Sequence, residues 1–201
     1  MAGEAALALD PELPNLAPEV IAAYRAAGPE TVAEIVGGEL SLMGRPKPRH
    51  ALATTALTSE LGGPFGGRTD GPGGWVFLVE PELWLGARPD VVVPDLAGWR
   101  RERVTDGFLD PARGGITLAP DWVCEVLSPS TARFDRTRKR PVYLREGVRH
   151  LWFVDPAEQS VAVFRASPEG WILVAEHFGD ETVNAEPFDA VGLDLRTLWS
   201  V

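Results

Sequence analysis

Three places in the sequence hold residues whose types and spacing could do chemistry together. A Pro-Asp pair occurs at Pro94-Asp95, and again at Pro89-Asp90 and Pro120-Asp121. A carboxylate, Glu125, interrupts the apolar run "WVCEVL". Asp135, Lys139 and Tyr143, spaced four apart, share one face of an expected helix. Alone, a Pro-Asp pair marks a turn, a carboxylate in a strand marks a salt bridge, and an i,i+4 acid–lysine pair marks a solvated face. Together they make the minimal set for metal-assisted phosphodiester hydrolysis: an acid at the end of one strand, an acid inside the next core strand, and a lysine close by. Carboxylates hold a hard divalent cation through oxygen, and cation and lysine activate water and stabilise charge in the transition state. An unpaired charge inside a buried strand is expensive, so Glu125 requires something that offsets the cost.

The elements that must position these residues follow from periodicity and punctuation. "APEVIAAYRAAG" and "PETVAEIV" read as short helices, the first opened by Pro18 and closed by Gly28, and "GGELSLM" as a strand leaving a turn. "PRHALATTALTSELGG" has helical spacing and a Gly-Gly stop. Past the loop "PFGGRTDGPGG" the texture turns to strands: "WVFLVE", "LWLGA", "VVVPDLAGW" and "WVCEVL", the last two separated by the polar connection "RRERVTDGFLDPARGG". Alternation along the last strand puts Asp121, Val123, Glu125 and Leu127 on one side and Trp122, Cys124 and Val126 on the other. "FDRTRKRPVYLREG" is a helix whose Pro141 must lie in its first turns or kink it. "HLWFVD", "SVAVFRA" and "GWILVAE" close the chain as strands joined by tight turns. The order of elements predicts an α/β (α+β) fold with a mixed sheet, not a doubly wound pattern. A helical segment over 1–36 is expected to pack on a domain over 37–201, in effect one domain.

Composition is that of an ordinary globular protein, with 45% hydrophobic and 24% charged residues. No apolar run approaches the roughly 18 residues of a membrane span, so no membrane partner is expected. The opening "MAGEAALALDPELPN" lacks a basic n-region and makes a poor signal peptide. Cys124 is the only cysteine, which excludes an internal disulfide and agrees with a reducing cytoplasm; it reads as a small core residue. A net charge of −10 weighs against nucleic acid, because phosphate binding is largely electrostatic. The acids, however, sit at the two ends of the chain. Residues 133–150 hold seven cations against two acids, and "GWRRER" at 98–103 adds more, so a local basic face remains open. Trp99, amid arginines, is a core residue or a base-stacking one.

"VPDLAGWRRERV", "PDWVCEVLSPST", the D-x-x-x-K of 135–139 and "YLREGVRHLWFVDP" resemble the putative restriction endonuclease family of bacterial proteins, placed in the PD-(D/E)XK nuclease superfamily. The resemblance runs from about Glu34 to Trp199 and takes in "AEIVGGEL", "RPKPRHA" and "GPGGWVFLVEPEL". It implies a restriction-endonuclease-like core, a mixed sheet flanked by helices, and a nuclease that uses Mg2+ or Mn2+ on nucleic acid, DNA foremost. By that resemblance the "PD" acid falls on Asp95, with Asp90 as the runner-up, and the "(D/E)" acid on Glu125, these two being the metal ligands. The superfamily's lysine two residues on is here Leu127, and the lysine is relocated to Lys139 on the following helix. Arg100, Arg101, Arg103, Arg136 and Arg138 are candidates for phosphate contacts. Asp121, Asp135 and Tyr143 are secondary candidates. Glu39 is either an extra acid from the N-terminal region or a surface residue, and His50 a structural or phosphate-facing one. A non-catalytic interaction module that keeps the fold is the rival reading, motivated by Leu127 and the acidic charge. The apolar strand "HLWFVD" leaves room for a homodimer.

Overall fold

In the computed structural model the described residues are 13–67, 71–110 and 114–200. The expectations for residues 1–12, including the signal-peptide reading and the start of the helical segment, lie outside them, as do parts of the two loops at 68–70 and 111–113.

Two sheets carry the architecture. The chain enters through helix α1 (Pro18–Arg25) and then forms β1 (Thr31–Val36) and β2 (Glu39–Gly44). The expected helix "PETVAEIV" is thus β1. Four of its six residues are β-branched, which suits a pleated surface. Gly37 and Gly38, both at positive φ, supply the two-residue turn that pairs Val36 with Glu39. Consequently the 36/37 boundary falls inside a hairpin, and α1 is the only helix in the described part of the segment before it. The hairpin joins β5 (Asp90–Val92) and β4 (Leu83–Leu85) in a four-stranded antiparallel sheet of order β2-β1-β5-β4.

The second sheet has six strands, in the order β10-β9-β8-β7-β6-β3. These are β3 (Trp75–Val79), β6 (Leu96–Arg100), β7 (Trp122–Val126), β8 (His150–Asp155), β9 (Ser160–Ser167) and β10 (Gly170–Phe178). Only the β7–β8 pair is parallel, so the sheet is mixed as expected. The stretch "VVVPDLAGW" is two strands in two different sheets. Pro94 has no N–H for a ladder, and the chain changes sheet across Val93-Pro94-Asp95. "HLWFVD" is an interior strand, hydrogen-bonded on both sides, and offers no edge for self-association.

α2 (Pro48–Gly62), with Pro48 in its first turn, packs Ala53, Leu57 and Leu61 on one face of the six-stranded sheet, against Trp122, Cys124 and Val126. The opposite face, with Val123 and Leu127, is covered by the crossover helix and by the four-stranded sheet. That crossover helix, α3, is continuous through Ala132–Phe134, Asp135–Lys139 and Arg140–Arg145. Its middle stretch is a π turn, in which the Arg140 N–H reaches back five residues to the Asp135 carbonyl. Pro141 cannot donate to the ladder, and the wider turn before it accommodates its ring. Among the described residues no helix is long and apolar enough to cross a membrane.

Candidate active site

The β6–β7 pairing places the first two acids. Leu96 faces Cys124 and Ala97 faces Val123 across antiparallel strands, so the next step sets Asp95 opposite Glu125. Asp95 leaves the sheet there, and its Oδ2 accepts the Val126 N–H at 2.6 Å. Its other oxygen, Oδ1, lies 3.0 Å from His50 Nε2 at the start of α2. Backbone on one side and imidazole on the other thus fix the Asp95 carboxylate.

Glu125 points to the α3 side of the sheet, as alternation requires, and is 1% exposed. Lys139 Nζ reaches its Oε1 at 2.8 Å from the inner face of the helix, and the Tyr143 hydroxyl donates to the same oxygen at 2.5 Å. Asp135 Oδ1 lies 3.6 Å from the ammonium. The helix therefore delivers all three residues of its polar stripe. Leu127, the position that the resemblance aligned with a lysine, is buried in the apolar cluster with Val123 and Tyr143.

A fourth acid was not anticipated. Glu34, in the middle of β1, is fully buried; its Oε1 accepts the Val93 N–H at 2.6 Å and lies 3.1 Å from Lys139 Nζ. It carries the same signal as Glu125, a carboxylate in an apolar strand, and a helical reading of "PETVAEIV" hides that signal. A second overlooked signal is compositional. Of the 19 Lys and Arg residues only Lys47 and Lys139 are lysines, and both line the same pocket. That pocket, a cavity of about 130 Å³, is bounded by Glu34, Asp95, Glu125, Asp135, His50 and Lys139, with Arg45, Lys47 and the hydroxyls of Ser128, Ser130 and Thr131 also lining it.

Four carboxylates crowd around one lysine and one histidine, and their protonation reflects it. Burial pushes the Glu125 carboxyl well up; Lys139 pulls it back, while Asp135, Asp95 and Glu34 raise it further. Asp135 is held at about 6, mainly by burial. For Lys139, burial opposes the charge, but Glu125 and Glu34 outweigh it and keep the ammonium protonated. His50 follows the same logic: burial disfavours its cation, yet the bond to Asp95 raises its pKa above the ordinary value.

Several candidates lie elsewhere. Asp90 is buried away from the pocket, where it accepts the Gly37 N–H at 2.5 Å and pairs with Arg145 at 2.6 Å. Asp121 immediately precedes β7, at the end away from Glu125, and is clamped by Arg103 at 2.7 Å and by the Arg100 N–H. Arg100 ends β6, roughly 17 Å along the strand from Asp95 at about 3.4 Å per residue, and its guanidinium stacks on Trp75. Arg101 donates to the carbonyls of Gly66 and Trp75. These three arginines therefore serve the far end of the sheet. Glu39 is an exposed partner of Arg138 at 2.8 Å, and Arg138 also bonds the Val36 carbonyl; the acid supplied by the N-terminal hairpin is Glu34. Arg136 is exposed on α3, near the Phe153 ring. Trp99 is fully buried and donates to the Leu118 carbonyl, so it cannot stack on a base.

Among the described residues no three His, Cys, Asp or Glu side chains stand ready-made as a metal ligand set. Instead, Asp95, Glu125 and Glu34 are occupied by His50, Tyr143 and Lys139. The donors are nonetheless right in kind for a hard divalent ion. The excess of carboxylates over cations is what such an ion would neutralise, and Glu34 Oε2 is buried with no hydrogen-bond partner. In the kind and number of their oxygen donors, the residues lining the pocket fit a divalent cation.

Comparison with known proteins gives three findings. Residues 18–197 match the family model described as "Uma2: Putative restriction endonuclease". A crystal structure described as a putative nuclease belonging to DUF820, from Anabaena variabilis ATCC 29413, superposes with a TM-score of 0.68 at 21% identity. The match covers 90% of this chain and 96% of that one, and at that identity it speaks for the fold. No curated protein matches the chain.

Proposed function

The chain belongs to the Uma2 putative restriction endonuclease family, and on that premise we propose that it is a divalent-metal-dependent nuclease, using Mg2+ or Mn2+ to hydrolyse phosphodiester bonds in DNA. One observation carries the reading: strand register brings Asp95 and Glu125 face to face at the pocket, and a helix brings Lys139 to the same carboxylate. A divalent ion held by the two carboxylates would supply Lewis-acid activation of a water and neutralise charge on the phosphate. Asp95 is oriented for this by His50 and by the Val126 N–H. Lys139 contributes a buried, fixed positive charge at Nζ to stabilise oxygens that gain charge in the transition state. Along the pocket lining, Lys47, Arg45 and the hydroxyls of Ser128, Ser130 and Thr131 are placed to contact phosphate oxygens. Arg136, exposed on α3, could add a contact further along the backbone.

The test is incubation of the purified chain with supercoiled plasmid and with single-stranded oligonucleotides, with Mg2+ or Mn2+ and without, beside Glu125→Gln. Metal-dependent cleavage that the variant lacks is expected. A wild-type protein that binds the metal yet cuts neither substrate would refute the reading, and so would equal cleavage by the variant.

The rival reading, a non-catalytic interaction module on the same fold, draws on a different observation. All three Lys139 N–H groups have partners: Glu125, Glu34 and the Val93 carbonyl at 3.0 Å. In that reading the ammonium is a structural cation that never turns to a substrate, and Mg2+ or Mn2+ leaves the melting temperature unchanged.

A further inference from the structure

Lys139, Glu34 and Val93 form a closed ring. The Val93 N–H donates to Glu34 Oε1, Lys139 Nζ lies 3.1 Å from the same oxygen, and Lys139 donates in turn to the Val93 carbonyl. Glu125 approaches this ring from outside, from another sheet, and its Oε1 already takes both Lys139 and the Tyr143 hydroxyl, so a cation bound at that carboxylate would weaken its hold on the ammonium. Glu34 faces no such competition: it is fully buried, and its second oxygen has no partner at all. Asp135 is a weaker alternative, 3.6 Å away.

We propose that Glu34 is the positioning residue of Lys139, holding the ammonium in the pocket when Glu125 is engaged elsewhere, with its unpartnered Oε2 taking the N–H that Glu125 gives up. The ammonium then keeps its place through a change at Glu125. The inference rests on the reading of Lys139 as the catalytic lysine, but its structural content can be tested without metal or substrate.

With only two lysines in the chain, the side-chain NH3+ correlation spectrum of 15N-labelled protein is simple to read. Exposed Lys47 exchanges its protons with water, whereas buried Lys139 retains a cross-peak. Glu125→Gln mimics a Glu125 whose charge is taken, and Glu34→Gln keeps an acceptor for the Val93 N–H while removing the charge. The Lys139 cross-peak is expected to survive Glu125→Gln and to vanish in Glu34→Gln/Glu125→Gln. Its loss in Glu125→Gln alone, or its persistence in the double variant, overturns the proposal. Should the double variant melt below the measuring temperature, Glu34→Asp/Glu125→Gln withdraws the carboxylate by one methylene and keeps its charge. There a broadened or shifted cross-peak is expected, and an unchanged one overturns the proposal. With Mg2+ and DNA, Glu34→Gln should lower kcat by about 10²-fold, the scale for one misplaced charge-stabilising donor; an unchanged kcat in an active enzyme also overturns it. Should the wild type bind no Mg2+ and cut nothing, the nuclease reading fails while the spectra still decide the role of Glu34.

Discussion

Tyr143 and Glu125 are joined by a 2.5 Å hydrogen bond from the phenol to Oε1, the oxygen that also carries Lys139. Two donors on one oxygen of a buried carboxylate hold its charge in place and compete with any other ligand of that oxygen. Tyr143→Phe is expected to cost about 1.5–3 kcal/mol in denaturant unfolding, the range for a hydrogen bond to a charged group. Titration calorimetry should find Mn2+ bound more tightly by the variant, since one competitor is gone.

The two Pro-Asp acids at the sheet crossover separate cleanly by experiment. Asp95→Asn and Glu125→Gln should each remove the rise in melting temperature on adding Mn2+. Asp90→Asn should keep that rise but start from a lower melting temperature, because it weakens the clamp on Arg145 and the Gly37 N–H.

Removing Lys139 leaves Glu34, Glu125 and Asp135 together without their cation. Lys139→Ala should therefore destabilise the metal-free protein by about 3–5 kcal/mol, as broken buried ion pairs do, and Mg2+ should restore part of the loss. Cleavage should fall about 10²-fold. Lys139→Arg should rescue poorly, since a planar fork does not fit where a compact ammonium makes three bonds. Adding Leu127→Lys should not rescue activity, because position 127 lies in an apolar cluster.

Stability of the metal-free protein should fall with rising pH. Asp135 is held at about 6 in the folded chain, against about 3.9 when unfolded, so between these values the folded state binds the extra proton and loses stability as pH climbs. His50, whose pKa is raised above its ordinary value, adds stability below about 6.5 that is lost as pH passes its folded value. Melting curves from pH 4 to 7 should show this decline. Asp135→Asn should flatten its lower half, and stabilisation by Mg2+ should grow with pH as the carboxylates lose their protons.

Much of the fold could be read in the sequence because its signals were local. Pro18 and Pro48 open helices, Gly-Gly pairs close turns, and alternation assigned both faces of β7 correctly. The failures share one cause, pairing at a distance. β1 looked helical because six residues cannot distinguish a short strand from a short helix until a partner strand is known. "VVVPDLAGW" looked like one strand because nothing local announces a change of sheet. Charge alone groups the arginines of "GWRRER" with the site, whereas strand length puts them at the opposite end. The polar stripe of α3 was legible from spacing of four, although the π turn beneath it was not.

Cys124 sits one residue before Glu125 and faces the opposite core, fully buried beside Trp122 and Val126. As the only thiol in the chain, it makes a silent clock for the strand beneath the candidate site. A thiol reagent can reach it only when the α2 layer over β7 opens, so the labelling rate reports how often that packing lifts. No competing cysteine blurs the count, and a ligand at Asp95 and Glu125 would slow the ticking from the other face of the same strand.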